Sequence, residues 1–143
     1  MRIMVINGPN LNMLGVREPD IYGTEDYDDL CFSIEQWADE LGFEADVRQS
    51  NYEGEIIDFI HEVFDEDYDG LIINPAAYTH YSYAIRDALA ILSCPIVEVH
   101  LSDIHNREGF RNISVMEDVV TKQICGKGFE SYKEALQYFF ELL

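Results

Sequence analysis

Residues 3–7 read IMVIN, an unbroken apolar run that ends on a polar residue. A strand covered on both faces reads this way, because neither side chain direction meets water. The same form returns as GLIIN at 70–74 and IVEVH at 96–100. Between these runs the apolar spacing changes to that of helices. Leu30, Ile34, Trp37, Ala38 and Leu41 share one helical face, and Gly42 is placed to end that helix. FEADVRQ, 43–49, alternates as a strand. Ile56, Ile57, Ile60, Val63 and Phe64 form a second helical stripe, and Ala84, Ile85, Ala88, Leu89 and Leu92 a third, stopped by Pro95. VTKQIC, 120–125, reads as a fifth strand, and Tyr132, Leu136, Phe139 and Phe140 mark a closing helix. Strand alternating with helix implies a parallel sheet covered on both faces. The expected fold is α/β: a flavodoxin-like three-layer sandwich with a five-stranded parallel sheet, formed by residues 1–143 as a single domain.

Bulk properties narrow the function. The chain has 143 residues, 48% of them apolar, which suffices for a real core. Its 9 Lys plus Arg against 28 Asp plus Glu give a formal net charge of -19. That balance argues against nucleic acid and against anionic membrane surfaces, since phosphate binding needs a basic footprint. Acidic runs such as DEDYD, 65–69, read as solvated faces. No apolar run approaches the roughly 20 residues that span a bilayer, and the start MRIMVING is too short for a signal peptide. Cys31, Cys94 and Cys125 are odd in number and widely spaced, as in reduced buried thiols. A soluble, cytoplasmic protein is expected.

In such sheets ligands bind beyond the carboxyl ends of the strands. The first strand is followed by NGPNLN, with Asn7, Asn10 and Asn12; the third by NPAAYTHYS, with Asn74, Thr79 and His80. After the fourth come His100, Ser102, His105, Arg107 and Arg111. Amides, imidazoles and guanidiniums at these ends suit a small, hydroxylated, anionic ligand. GVREPDIYG, 15–23, adds Arg17 and Tyr22 between two glycines, with neither helical nor strand period.

Taken together, INGPNLNMLGVREPDIYG, RQSN.EGEIID.IH, GLIINPAAYTHYSYAIRDAL, PIVEVHLSDIHNREGFR and the closing G.G...Y..AL resemble the type II 3-dehydroquinate dehydratases in content, order and spacing. The resemblance spans nearly the whole chain. It implies dehydration of 3-dehydroquinate to 3-dehydroshikimate through an enolate, with no cofactor, no metal and no Schiff base. The lysines, Lys122, Lys127 and Lys133, all fall late in the chain, which independently weighs against imine chemistry.

By this resemblance Tyr22 is the general base. A tyrosine is only roughly one part in a thousand ionised at pH 7, and lowering its pKa by two to three units requires about 3 to 4 kcal/mol. One guanidinium at about 4 Å supplies up to about 4 kcal/mol at an effective dielectric near 20. Arg17 is the first candidate, Arg107 the second, and Arg17 would also stabilise the enolate. His100 carries over as proton donor to the departing hydroxyl. Glu98 stands two residues earlier on the same side of the strand, where it would fix the imidazole tautomer and favour its protonated form. Asn10 would hold a water or oxygen at the enolate. Asn74, His80 and Arg111 would bind ring hydroxyls, and the backbone N–H groups of Leu101 and Ser102 the substrate carboxylate. Asp87 would reach the site of a neighbouring subunit. That implies a trimer as catalytic unit, commonly assembled into a homododecamer. His105 would support Arg107 or the carboxylate from behind.

Taken alone, several of these residues also fit ordinary structure. Arg17 and Tyr22 suit a surface turn, Asn10 and Asn74 are common turn residues, and Arg86–Asp87 suits an exposed helix face. The chain also departs from the family pattern. Ala76 stands where glycine is usual, and Tyr81 and Tyr83 replace smaller residues. A positive backbone angle at Ala76 would strain the turn beside Asn74. The main alternative on the same fold is a flavin-binding module, but NGPNLN lacks its Ser/Thr/Gly-rich phosphate loop. A phosphoacceptor receiver would need an aspartate at position 74.

Overall fold

The computed structural model describes residues 1–16, 20 and 24–143. Arg17 and Tyr22 lie outside the described residues. Five strands, β1 (Arg2–Asn7), β2 (Glu44–Gln49), β3 (Gly70–Asn74), β4 (Ile96–His100) and β5 (Lys122–Cys125), form one sheet in the order β2-β1-β3-β4-β5. Every neighbouring pair is parallel. This is the expected α/β arrangement, with the flavodoxin-like strand order. Among the described residues the α-helices are α1 (Tyr27–Glu40), α2 (Glu53–Asp65), α3 (Tyr83–Leu89) and α4 (Glu130–Glu141).

Strand parity divides the core. Ile3, Val5, Ile72, Val97, Val99 and Ile124 face α1 and α4, where they meet Leu30, Ile34, Leu136 and Phe139. Met4, Ile6, Leu71, Ile73 and Ile96 face α2 and α3, against Ile56, Ile60, Ile85 and Leu89. Strands β3 and β4 are buried throughout, so both faces need apolar residues, hence the unbroken runs. Each such Ile or Leu contributes about 1.5–3 kcal/mol on leaving water. The helical stripes are wider than the contact they make. Phe64 is 56% exposed and Phe140 44% exposed.

Acidic residues cap helices as well as cover surface. Asp26 Oδ1 accepts from the Asp29 N–H at 2.8 Å, and Asp29 Oδ2 accepts from the Asp26 N–H at 3.0 Å. This reciprocal pair also places negative charge at the positive end of α1. Gly42 ends the segment at φ 76°, as its position predicts. The irregular stretch 101–118 contains two short helical turns, Ile104–Asn106 and Gly109–Asn112. β5 is shorter than 120–125 because Thr121 is a connector: its N–H donates to Ile96 O at 2.8 Å and its Oγ1 accepts from Ile96 N–H at 2.9 Å. Among the described residues no helix is long and apolar enough to cross a membrane.

Candidate active site

The carboxyl ends of β1, β3 and β4 open into one cleft. Pro9, Asn10, Leu11, Met13 and Leu14 line it from the first loop, Asn74, Ala76, Ala77 and His80 from the second, and His100, Leu101, Ser102, Ile104, Arg107 and Arg111 from the third. The cleft therefore gathers Asn10, Asn74, His80, His100, Leu101, Ser102, Arg107 and Arg111. In a chain of net charge -19, no Asp or Glu lines the cleft among the described residues, whereas two arginines and two histidines do.

Backbone packing sets the floor. Gly8 N–H donates to Asn74 O at 2.8 Å, joining the loops after β1 and β3. A Cβ at Gly8 would lie 2.6 Å from the Pro75 carbonyl oxygen, so only glycine permits this approach. Asn10 takes φ 70°, which asparagine tolerates. Its N–H donates to Asn51 Oδ1 at 3.0 Å, and Gln49 Nε2 reaches Gly8 O at 3.1 Å and Asn51 Oδ1 at 3.2 Å. The RQSN motif is thus the scaffold of the first loop. Its Arg48 forms a two-pronged pair with Glu62 at 2.8 and 2.9 Å.

Asn74 is nearly buried and internally engaged. Its Nδ2 donates to the Tyr132 hydroxyl at 2.9 Å, and its Oδ1 accepts from Ala76 N–H at 3.1 Å. Tyr132 in turn donates to Asn7 Oδ1 at 2.7 Å, and Asn7 Nδ2 donates to Tyr27 Oη at 3.3 Å. Burial drives the Tyr132 phenol far above its ordinary pKa, so it stays a neutral donor. Ala76 has φ 52°, the strained angle that an alanine in the usual glycine position would have to bear.

On the opposite face of the sheet, Glu98 is fully buried and amply satisfied. Its Oε2 accepts from Thr79 Oγ1 at 2.5 Å and lies 2.5 Å from His100 Nε2. Ser114 Oγ lies 2.9 Å from Oε2 and 3.0 Å from Oε1, and Gln123 Nε2 donates to Oε1 at 3.1 Å. Burial pushes the carboxyl up. His100, by hydrogen bond and charge, followed by Thr79 and Gln123, outweighs it and holds Glu98 below its usual pKa. An ionised Glu98 makes His100 Nε2 the donor of that bond, which leaves Nδ1 for the cleft.

His80 Nδ1–H donates to Ile113 O at 2.7 Å. Burial lowers its pKa; the Ile113 carbonyl opposes this, and the charges of His100, Arg111 and Arg107 reinforce it. His80 is therefore neutral at pH 7, with Nε2 an acceptor. Its ring meets Phe110 edge-on at 5.6 Å, and Arg111 lies over the same Phe110 ring at 4.9 Å. Asp87 is exposed on α3 and does not line this cleft. Its neighbour Arg86 is tied down instead, donating to Val115 O at 2.8 Å and pairing with Asp118.

Thr79 was legible only as one residue of a strand-end loop, and the parts played by Ser114 and Gln123 were not read from the sequence. The available signal was strand register: Glu98 pairs with Gln123 across β4 and β5, so their side chains share a face. The lysines stand apart from the cleft: Lys127 pairs with Glu134, while Lys122 and Lys133 lie over Tyr138 and Trp37. Among the described residues no group of three or more His, Cys, Asp or Glu is placed to hold a metal ion.

Comparison with known proteins agrees with this geometry. The family profile described as dehydroquinase class II matches residues 1–140. The 3-dehydroquinate dehydratase of Thermotoga neapolitana is 56% identical over 138 residues, covering 96% of this chain and 93% of the relative. That of Caldicellulosiruptor bescii is 54% identical over 142 residues, covering 99% and 98%. The crystal structure of type II dehydroquinase from Butyrivibrio crossotus superposes with a TM-score of 0.95 at 51% identity, covering 96% of each chain. The chain belongs to the class II dehydroquinase family.

Proposed function

We propose that the cleft dehydrates 3-dehydroquinate through an enolate, with His100 as the acid and Tyr22 as the base. The overall activity is that of the family: the protein is a hydro-lyase that converts 3-dehydroquinate to 3-dehydroshikimate, a step of the shikimate route. The observation that carries the site assignment is electrostatic. A strongly acidic chain keeps carboxylates off the lining of this cleft among its described residues and places Arg107, Arg111, His80 and His100 there. Such a cleft draws in and holds a small carboxylate.

The proposed reaction has two proton transfers. The base, Tyr22 assisted by Arg17, removes the proton beside the ketone, and the electron pair moves into an enolate. Asn10 supports the enolate oxygen. The enolate then collapses to the conjugated enone as the carbon–oxygen bond to the hydroxyl breaks. His100 Nδ1–H protonates the departing oxygen, which leaves as water. Glu98, accepting from Nε2, holds the ring so that Nδ1 faces the departing oxygen. His80 Nε2 accepts from a ring hydroxyl, Asn74 and Arg111 bind further hydroxyls, and the loop amides of Leu101 and Ser102 hold the carboxylate with Arg107 nearby.

Residues 1–143 work as one domain in this reading. Exposed Asp87, outside its own cleft, supports a subunit-shared site, hence a trimer and its dodecamer. Three unpaired cysteines support a reducing, cytoplasmic setting. The test is the rise of enone absorbance on mixing protein with 3-dehydroquinate, together with the solution mass. His100→Ala and Tyr22→Phe should each lose more than about 100-fold in kcat while still binding substrate. An active Tyr22→Phe would require another base.

A further inference from the structure

His105 is exposed, yet it connects to the buried Glu98 through a single side chain. Its Nε2 lies 2.6 Å from Gln123 Oε1, and Gln123 Nε2 donates to Glu98 Oε1 at 3.1 Å. The two ends of an amide have opposite polarity. With Nε2 inward, Gln123 gives Glu98 a donor. Turned over, it would set a carbonyl oxygen against a buried carboxylate, a repulsive contact in a poorly solvated place. Thr79, Ser114 and His100 contact Glu98 in either case, and the carboxylate, which only accepts, selects Nε2 inward.

That sense turns Gln123 Oε1 outward, where it can only accept, so His105 Nε2 carries the proton and anchors the outer end of the amide. His105 is itself placed by Asp103, whose Oδ1 accepts from the His105 N–H at 3.1 Å and whose Oδ2 accepts from Asn106 Nδ2 at 2.6 Å. The loop after β4 thus carries the imidazole, the imidazole anchors the outer end of the amide, and the inner end faces the carboxylate that supports His100.

We propose that His105 is a positioning residue for the acid, acting through Gln123 by anchoring the outer end of that amide so that its N–H stays on Glu98. The proposal rests on the reading of His100 as proton donor. Its effect falls on the proton-transfer step, not on substrate contacts, and His105 does not line the cleft.

The test is steady-state dehydration of 3-dehydroquinate by His105→Ala, Gln123→Met, the double variant, His105→Gln and His100→Ala, each checked for folding by thermal melting. His105→Ala should lower kcat about 5- to 10-fold, as expected for one neutral hydrogen bond, with KM within about twofold. Gln123→Met should fall at least as far. The double variant should be no worse than Gln123→Met, since His105 acts only through that residue. His105→Gln, which keeps an N–H donor at similar reach, should recover at least half of the wild-type kcat. Should Gln123→Met fail to fold, the His105 pair decides the matter alone: loss in the alanine with recovery in the glutamine supports the relay. Wild-type kcat in His105→Ala, a change confined to KM, or additive losses in the double variant would overturn it. An inactive His100→Ala beside a fully active His105→Ala removes the relay alone. An active His100→Ala removes the reading of His100 and the relay together.

Discussion

Asn74 is held by Tyr132: its amide nitrogen donates to a fully buried phenol at 2.9 Å, and that phenol donates onward to Asn7 at 2.7 Å. The strand-end amide is thus aimed by a helix residue 58 positions later. Tyr132→Phe keeps the ring and removes only the hydroxyl, leaving a buried donor on Asn74 and a buried acceptor on Asn7 without partners. The expected cost is about 1–3 kcal/mol of stability, read as a lower denaturant midpoint. KM should rise more than kcat falls, because Asn74 contacts bound substrate in the proposed site. An unchanged midpoint with unchanged KM would show that the ladder is dispensable.

Ala76 carries φ 52° while its N–H serves Asn74 Oδ1. A left-handed alanine costs about 1–2 kcal/mol in sterics, partly offset because glycine loses more backbone entropy on folding. Ala76→Gly should therefore stabilise the protein by about 0.5–1 kcal/mol. Thermal melting is the measure, and a lower melting temperature would count against strain at this turn.

Gly8→Ala should do the opposite. The added Cβ meets backbone, the Pro75 carbonyl oxygen at 2.6 Å and its carbon at 2.8 Å, neither of which can rotate away. The loops after β1 and β3 must separate, at a cost of about 1–3 kcal/mol. Activity should fall further than stability alone accounts for, since both loops line the cleft. Wild-type turnover in Gly8→Ala would refute the close approach.

Glu98 sets a pH dependence whose sign is fixed. Its pKa in the folded protein lies below the usual carboxyl value, so the unfolded chain binds the proton more readily. The stabilisation is fully present above the ordinary glutamate pKa of about 4.3 and is lost as pH falls from there through the folded value. Glu98→Gln should remove this contribution and be less stable than wild type at pH 7, by about 3–5 kcal/mol for loss of one partner of a buried pair. Its stability should then vary less between pH 5 and pH 3 than that of the wild type. Parallel acid profiles for the two proteins would assign the acid sensitivity elsewhere.

The legibility of the sequence followed burial. β3 and β4 are covered on both faces, so GLIIN and the apolar positions of IVEVH were plain. The site was legible where residues follow directly on strands, as with Asn74 and His100. It was illegible where partners come from unperiodic segments. Ser114 is one polar residue in an irregular stretch, and Gln123 lies on the edge strand, where alternation is short. The motif RQSN marked a family, yet its side chains support the first loop instead of lining the cleft. Phe64 and Phe140 fit helical spacing and remain exposed, because spacing identifies a face without giving its width.

The Glu98 cluster also bears on how the protein reaches its native state. Residues 79, 98, 100, 114 and 123 meet only when β3, β4, β5 and two loops are all in place. Before that point the Glu98 carboxylate would lack Ser114 and Gln123, the partners of its Oε1, and would resist full burial. The last strand and the loop before it thus both supply partners that complete the burial of one carboxylate. A chain truncated before β5 should stay open at this end of the sheet, with hydration of one acidic side chain acting as the wedge.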